Sequence, residues 1–139
     1  MTLEIARPPA EVFAALTDLD RVPTWQESAI ESRCDTELAE GARIHERRRA
    51  MGHEIESELE VTAFEPDRRL TLRSVNGPMP FTVNHQLVEE DGGASTFVHV
   101  IAQGNPASFM KLAKPMLKRR AERELRGDFE RLKEQLEHR

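Results

Sequence analysis

The sequence predicts an α+β fold in two layers, a curved antiparallel sheet of about seven strands wrapped around one long C-terminal helix. Two observations carry this. From Ala107 to Glu137, the residues Met110, Ala113, Leu117, Ala121, Leu125, Phe129, Leu132 and Leu136 recur three or four apart, with Lys, Arg and Glu between them. That spacing is one apolar stripe on a long amphipathic helix. Before it, apolar and polar residues alternate over several short runs separated by Gly, Pro, Asn and Asp, the pattern of sequential antiparallel strands. A lone helix cannot bury its own stripe, so the sheet supplies the opposing surface.

The elements follow in order. Thr2 to Ala6 reads as a short strand with Leu3 and Ile5 on one face. Arg7-Pro8-Pro9 ends it and opens a short helix, since proline in a first helical turn loses no hydrogen bond. Val12, Phe13 and Leu16 give that helix its buried face. Thr17-Asp18-Leu19-Asp20 offers N-cap chemistry for a second short helix ending near Pro23, with Trp25 just beyond. Ser28 to Cys34 alternates as the next strand, and Gly41 marks a turn.

Ala42–Ala50 and His53–Phe64 flank Met51-Gly52, a hairpin turn. Pairing the strands about it sets Arg49 opposite Glu54, Arg47 opposite Glu56, His45 opposite Glu58 and Arg43 opposite Glu60. Four complementary pairs in a row select this register and make that face the solvated one. The other face then carries Ile44, Glu46, Arg48 and Ala50 beside Ile55, Ser57, Leu59 and Val61. Glu65-Pro66-Asp67 is a turn, and Arg69 to Ser74 a strand with Leu70 and Leu72 inward. Asn76 to Pro80 forms a stiff loop able to rim an opening. Phe81 to Val88 places Phe81, Val83, His85 and Leu87 on one face. Ser95 to Ala102 is apolar on both sides, so periodicity leaves its facing open. Gly104-Asn105-Pro106 leads to the long helix, where Pro115 predicts a lead-in of one or two turns and then a kink. No repeat, low-complexity tract or linker divides residues 1–139, so one domain is expected.

Composition narrows the function. The 139 residues are 38% hydrophobic and 32% charged, with a net charge of −5. No apolar run approaches the roughly 20 residues that span a bilayer, and the N-terminal stretch lacks the pattern of a secretory signal. Cys34 is the only cysteine, which excludes an internal disulfide and suits a reducing cytoplasm. Neither the His spacing nor one Cys assembles a coordination shell, so no metal and no cofactor is expected. No phosphate-binding Gly-rich loop or serine-nucleophile elbow is present. The run from Lys118 to Arg126 is basic, but its glutamates, including Glu122 four residues before Arg126, make a solvated helix face the ordinary reading. Nucleic acid is not expected as a partner, nor is stable membrane insertion. A monomer or homodimer fits equally well.

The order of elements, with several local signatures, resembles the SRPBCC superfamily, also called START or Bet v1-like. Within it the likeness is to the polyketide cyclase/dehydrase and lipid-transport group. The matching pieces are Ala10-Glu11-Val12-Phe13-Ala14-Ala15-Leu16-Thr17-Asp18 with Pro23 and Trp25, then Gly41-Ala42-Arg43, Gly52-His53-Glu54-Ile55-Glu56, Glu65-Pro66-Asp67-Arg68-Arg69-Leu70, and Gly104-Asn105-Pro106. Together they cover nearly the whole chain. One departure is the first strand, which is shorter than in relatives. The resemblance implies a helix-grip fold with an apolar cavity between the long helix and the concave sheet, holding a lipid- or polyketide-like molecule. It carries over no catalytic residues, because the family shares no catalytic motif and fold does not fix function.

The inner face nevertheless offers candidates. Glu46 and Arg48 are charges on a concave face, to be paired with each other or with a polar ligand group, unless the strand end reaches solvent. His85 is expected either as a hydrogen-bonded core histidine or as an acid or base in the cavity. Trp25 either packs or covers the mouth, and Met51, Met79, Met110 and Met116 either fill the core or line a deformable pocket. The ligand-contact set on this reading is Trp25, Glu46, Arg48, Ser57, Leu59, Leu72, Phe81, Val83, His85, Met110 and Leu117, with His85 and Glu46 the candidates for proton transfer. The first expectation is binding of a small hydrophobic molecule. The alternatives are a polyketide cyclase or dehydratase, and a chaperone-type interaction module that works outside the cavity.

Overall fold

A computed structural model of the chain describes residues 1–50, 52–77, 80–104 and 115–138. After β1 (Thr2–Ile5) come α1 (Pro9–Thr17), a 3-10 turn (Leu19–Arg21) and α2 (Val22–Trp25). Six strands follow: β2 (Ala29–Cys34), β3 (Arg43–Ala50), β4 (His53–Glu65), β5 (Arg69–Asn76), β6 (Phe81–Glu90) and β7 (Ser95–Gly104). The described part of the long helix, α3, runs Pro115–Glu137. The expected lead-in, with Met110 and Ala113, lies outside the described residues.

The seven strands form one antiparallel sheet in the order β1-β7-β6-β5-β4-β3-β2. Strands β1 and β2 are therefore opposite edges, and the segment that joins them must cross the full width of the sheet. It does so as α1 and α2, which bury Val12, Phe13, Leu16 and Trp25 on the inner face beside α3. The β3–β4 hairpin has the register expected from its charges: Arg43 opposite Glu60, His45 opposite Glu58, Arg47 opposite Glu56 and Arg49 opposite Glu54. Gly52 turns it at φ +82°, a conformation that costs glycine little. Gly77 is needed for a different reason: a Cβ there would stand 2.8 Å from Ser57 Oγ.

Two local expectations change. Pro23 occupies the first turn of α2 instead of ending it, and Trp25 is the last residue of that helix; a proline that loses no hydrogen bond at a helix start reads in sequence like one that stops a helix. Asp18 precedes the 3-10 turn but makes no side-chain cap bond.

The facing of β7 is now fixed. Thr96, Val98 and Val100 are buried, while Phe97 and His99 stack on the outer side with ring centroids 6.4 Å apart. The outer position at Ile101 is 54% exposed.

The stripe of α3 is buried over only half its length. Phe129, Leu132 and Leu136 are 1–2% exposed, whereas Leu125 is half-buried and Ala121 exposed. Each fully buried side chain of that size contributes roughly 1.5–3 kcal/mol. Polar clamps hold the same half. Asp128 Oδ1 accepts from the Glu27 amide at 3.1 Å, and Arg131 Nε donates to the Trp25 carbonyl at 3.1 Å. Lys133 Nζ donates to the Glu4 carbonyl at 2.7 Å, and the Ala6 amide donates to Glu137 Oε2 at 2.8 Å. The N-terminal half of α3 has no comparable tie among the described residues.

Candidate functional site

Where α3 loses its grip on the sheet, a cleft opens. Its volume is about 620 Å³. One wall is the end of the β6–β7 pair with Phe81, Val100 and Ala102, and the other is α3 with Ala121 and Leu125; Met1 and Pro80 close its sides. The pairing explains the position. β1 reaches only to Thr2, opposite His99, so residues 101–104 of β7 extend past their edge neighbour. Lys118, Glu122 and Arg126 carry charge along the helix side.

Of the residues singled out from sequence, Phe81 lines this cleft. Leu72 and Val83 are paired neighbours on the same inner face, half-buried, with Val83 opposite Ala102. Leu59 is buried in the core, and Ser57 is half-buried opposite Glu46. Trp25 is 2% exposed and packs edge-on against Phe129, centroids 5.2 Å apart, so it plugs the core. Its Nε1–H finds no acceptor among the described residues. Met116 is 76% exposed. Met51, Met79 and Met110 lie outside the described residues, as does the side chain of Leu117.

The two inner-face charges pair with each other. Arg48 Nε and Nη2 donate to Glu46 Oε1 and Oε2, both at 3.0 Å. The guanidinium also donates to Ser28 Oγ at 3.0 Å and to Gln26 Oε1. This fork ties β3 to the segment between α2 and β2. Planar bidentate geometry is the arrangement in which a buried pair best offsets its desolvation.

His85 is buried opposite Val100, 6.0 Å from the Phe129 ring, and does not itself line the cleft. Its Nδ1 is 2.9 Å from the Leu70 carbonyl. A carbonyl only accepts, so Nδ1 carries the hydrogen, and in the neutral ring Nε2 is an acceptor. Burial pushes the imidazole pKa below its usual 6.5, against the opposing pull of the Leu70 bond. Nε2 has no hydrogen-bond partner among the described residues.

Residues 1–137 match the family model described as polyketide cyclase / dehydrase and lipid transport. The chain belongs to that family. Solved structures share its fold at low identity. A START superfamily protein from Mycobacterium smegmatis superposes with a TM-score of 0.80 at 15% identity, covering 99% of this chain and 95% of its own. A Deinococcus radiodurans protein gives 0.73 at 19%, covering 98% and 94%. The ZhuI aromatase/cyclase from Streptomyces gives 0.70 at 15%, covering 100% and 92%. No curated protein sequence matches the chain. The helix-grip architecture of this polyketide cyclase/dehydrase and lipid-transport family member is thus shared with START-like proteins. Among the described residues, no three His, Cys, Asp or Glu side chains gather as metal ligands, and no helix is long and apolar enough to cross a membrane.

The sequence reading missed Val100 and Ala102, because β7 is apolar on both sides and its facing was open. It also missed Lys118 and Arg126, which periodicity assigns to a solvated helix face. The Glu122–Arg126 ion pair suggested by spacing does not form: among the described residues, no ion pair within 4.0 Å involves Glu122 or Arg126.

Proposed function

We propose that this protein binds a small, largely apolar molecule in the cleft between α3 and the β6–β7 end of the sheet. The observation that carries this reading is the unfilled space of about 620 Å³ walled by Phe81, Val100, Ala102 and Leu125. Ligand sites of roughly 300–1,000 Å³ with mainly apolar walls take drug-sized molecules, and apolar burial supplies most of the affinity. Family membership supports the same reading, since lipid transport and polyketide chemistry both handle molecules of this kind. Leu72 and Val83 extend the apolar wall inward from Phe81.

A cyclase or dehydratase role is the second reading, favoured by one detail. His85 is a neutral imidazole with Nδ1 fixed by Leu70 and Nε2 uncommitted, the state a general base requires. The Phe129 ring packs beside it and His85 is not among the residues that line the cleft, so proton transfer to a substrate there requires the inner face to open further.

Titration with the neutral fluorophore N-phenyl-1-naphthylamine tests the first reading. Saturable enhancement at one site, lost in an Ala121→Trp variant that still folds, is the expected result. Enhancement that Ala121→Trp leaves intact places the fluorophore elsewhere and overturns the assignment.

A further inference from the structure

The protein carries a net charge of −5, yet the helix wall of the cleft is basic. From Lys118 to Arg126 the helix carries five cations, Lys118, Arg119, Arg120, Arg123 and Arg126, against two carboxylates, Glu122 and Glu124; of these, Lys118, Glu122 and Arg126 line the cleft. None of the seven makes an ion pair within 4.0 Å among the described residues. Several cations on the sheet are committed, Arg43 and Arg73 to Glu60, Arg47 to Glu31 and Arg48 to Glu46, although Arg21, Arg49 and Arg68 also make no ion pair among the described residues. Arg131 is committed to Asp128 and Lys133 to Glu137.

Deeper on the inner face the charged side chains are committed, while His85 Nε2 and Trp25 Nε1 have no partner among the described residues. Glu46 and Arg48 satisfy each other, and Ser74 Oγ accepts the Phe81 amide at 2.8 Å. The charged groups of the cleft are Lys118, Glu122 and Arg126, two cations to one carboxylate, all on the helix side, and Gln103 is the one polar side chain among the described lining residues of the sheet wall. The opposite wall is mainly apolar and, among the described lining residues, carries no charged side chain.

We propose that the molecule held in this cleft is a single-chain amphiphile with an anionic head, its chain along Phe81, Val100 and Leu125 and its head between Lys118 and Arg126. This rests on the reading of the cleft as the ligand site. A carboxylate or phosphate there supplies the acceptors that both cations lack, and charge-assisted bonds of this kind are stronger than neutral ones. An uncharged head leaves the cations as they are, and a cationic head meets like charge.

The test compares heads on one chain. Laurate and 1-dodecanol, below their aggregation limits, compete for bound N-phenyl-1-naphthylamine on the full chain. Laurate is expected to displace it at least about tenfold more effectively, a difference of about 1.4 kcal/mol. The Lys118→Gln/Arg126→Gln double variant brings laurate to the level of dodecanol and leaves dodecanol unchanged. Dodecyl phosphate beside laurate separates a phospholipid-type head from a free carboxylate, and preference for either over the alcohol supports the proposal. Displacement by both laurate and dodecyl phosphate no better than by dodecanol from the unaltered protein overturns the proposal and leaves the cleft reading standing. Failure of the fluorophore itself to bind overturns both. Binding to phosphatidylglycerol vesicles that depends on Lys118 and Arg126, without preference for laurate, assigns the cations to a bilayer surface and also overturns it.

Discussion

Arg48 and Glu46, two residues apart on one strand, form a bidentate pair on the inner face, with both N–H···O contacts at 3.0 Å. Glu46 is 7% exposed, so its charge depends on that partner. The pair also fixes the strand to Ser28 and Gln26, and thereby the exit from α2. It has the character of a joint in the scaffold.

Glu46→Leu therefore leaves an uncompensated guanidinium. Breaking a buried pair costs about 3–5 kcal/mol, and the partial exposure of Arg48 lowers this to about 2 kcal/mol. The double change Glu46→Leu/Arg48→Met removes both charges and is expected to recover most of the loss. Urea unfolding of the three proteins checks the order: unaltered and double close together, single well below.

His85 makes stability depend on pH with a definite sign. Its folded pKa lies below 6.5 because burial opposes the charged ring. Between that value and 6.5 the unfolded chain binds more protons, so stability falls as pH drops below about 6.5 and the loss is complete below the folded pKa. Within the window the slope reaches about 1.4 kcal/mol per pH unit. The urea midpoint of His85→Gln should fall less between pH 7.5 and 5.5 than that of the unaltered protein; parallel curves contradict this assignment.

Asp128 holds α3 to the segment between α2 and β2 through the Glu27 amide, and Arg131 of the same helix donates to it. Burial raises its carboxyl pKa above the usual value, despite the Glu27 and Arg131 contacts that favour the anion. Asp128→Asn keeps an acceptor for the Glu27 amide and ends the cost of burying a charge, so at pH 7 stability should stay within about 1 kcal/mol of the unaltered protein. Asp128→Ala orphans that amide and is expected to lose about 1–3 kcal/mol. Thermal unfolding of both variants distinguishes the two effects.

The division of α3 into a gripped and an ungripped half gives a mutational contrast. Phe129→Ala removes a side chain 2% exposed and packed on Trp25, with an expected cost of about 3–5 kcal/mol. Ala121→Trp adds bulk where α3 faces open space, and the expected change is below about 1 kcal/mol. A large destabilisation by Ala121→Trp contradicts an open cleft at that position.

The features most legible in the sequence were those that a strong local pattern fixes. Three Arg–Glu pairs and one His–Glu pair marked the β3–β4 register, because a slip of one residue would move that whole polar row to the inner face. Pro23 was ambiguous because the same residue starts and stops helices. The stripe from Leu117 to Leu136 reads as uniform, yet burial stops near Leu125; periodicity reports which residues share a face and not how far the opposing surface extends. The cleft arises from that mismatch between helix length and sheet coverage, a tertiary property. Its cations went unrecognised for a related reason, since Lys and Arg beside a cavity have the same spacing as Lys and Arg facing water.

Native mass spectrometry of freshly purified protein beside its Ala121→Trp variant tests the cleft most directly. A reproducible adduct of a few hundred daltons, roughly the size such a volume admits, is expected on the unaltered protein and not on the folded variant. The same adduct on both proteins would contradict the cleft assignment.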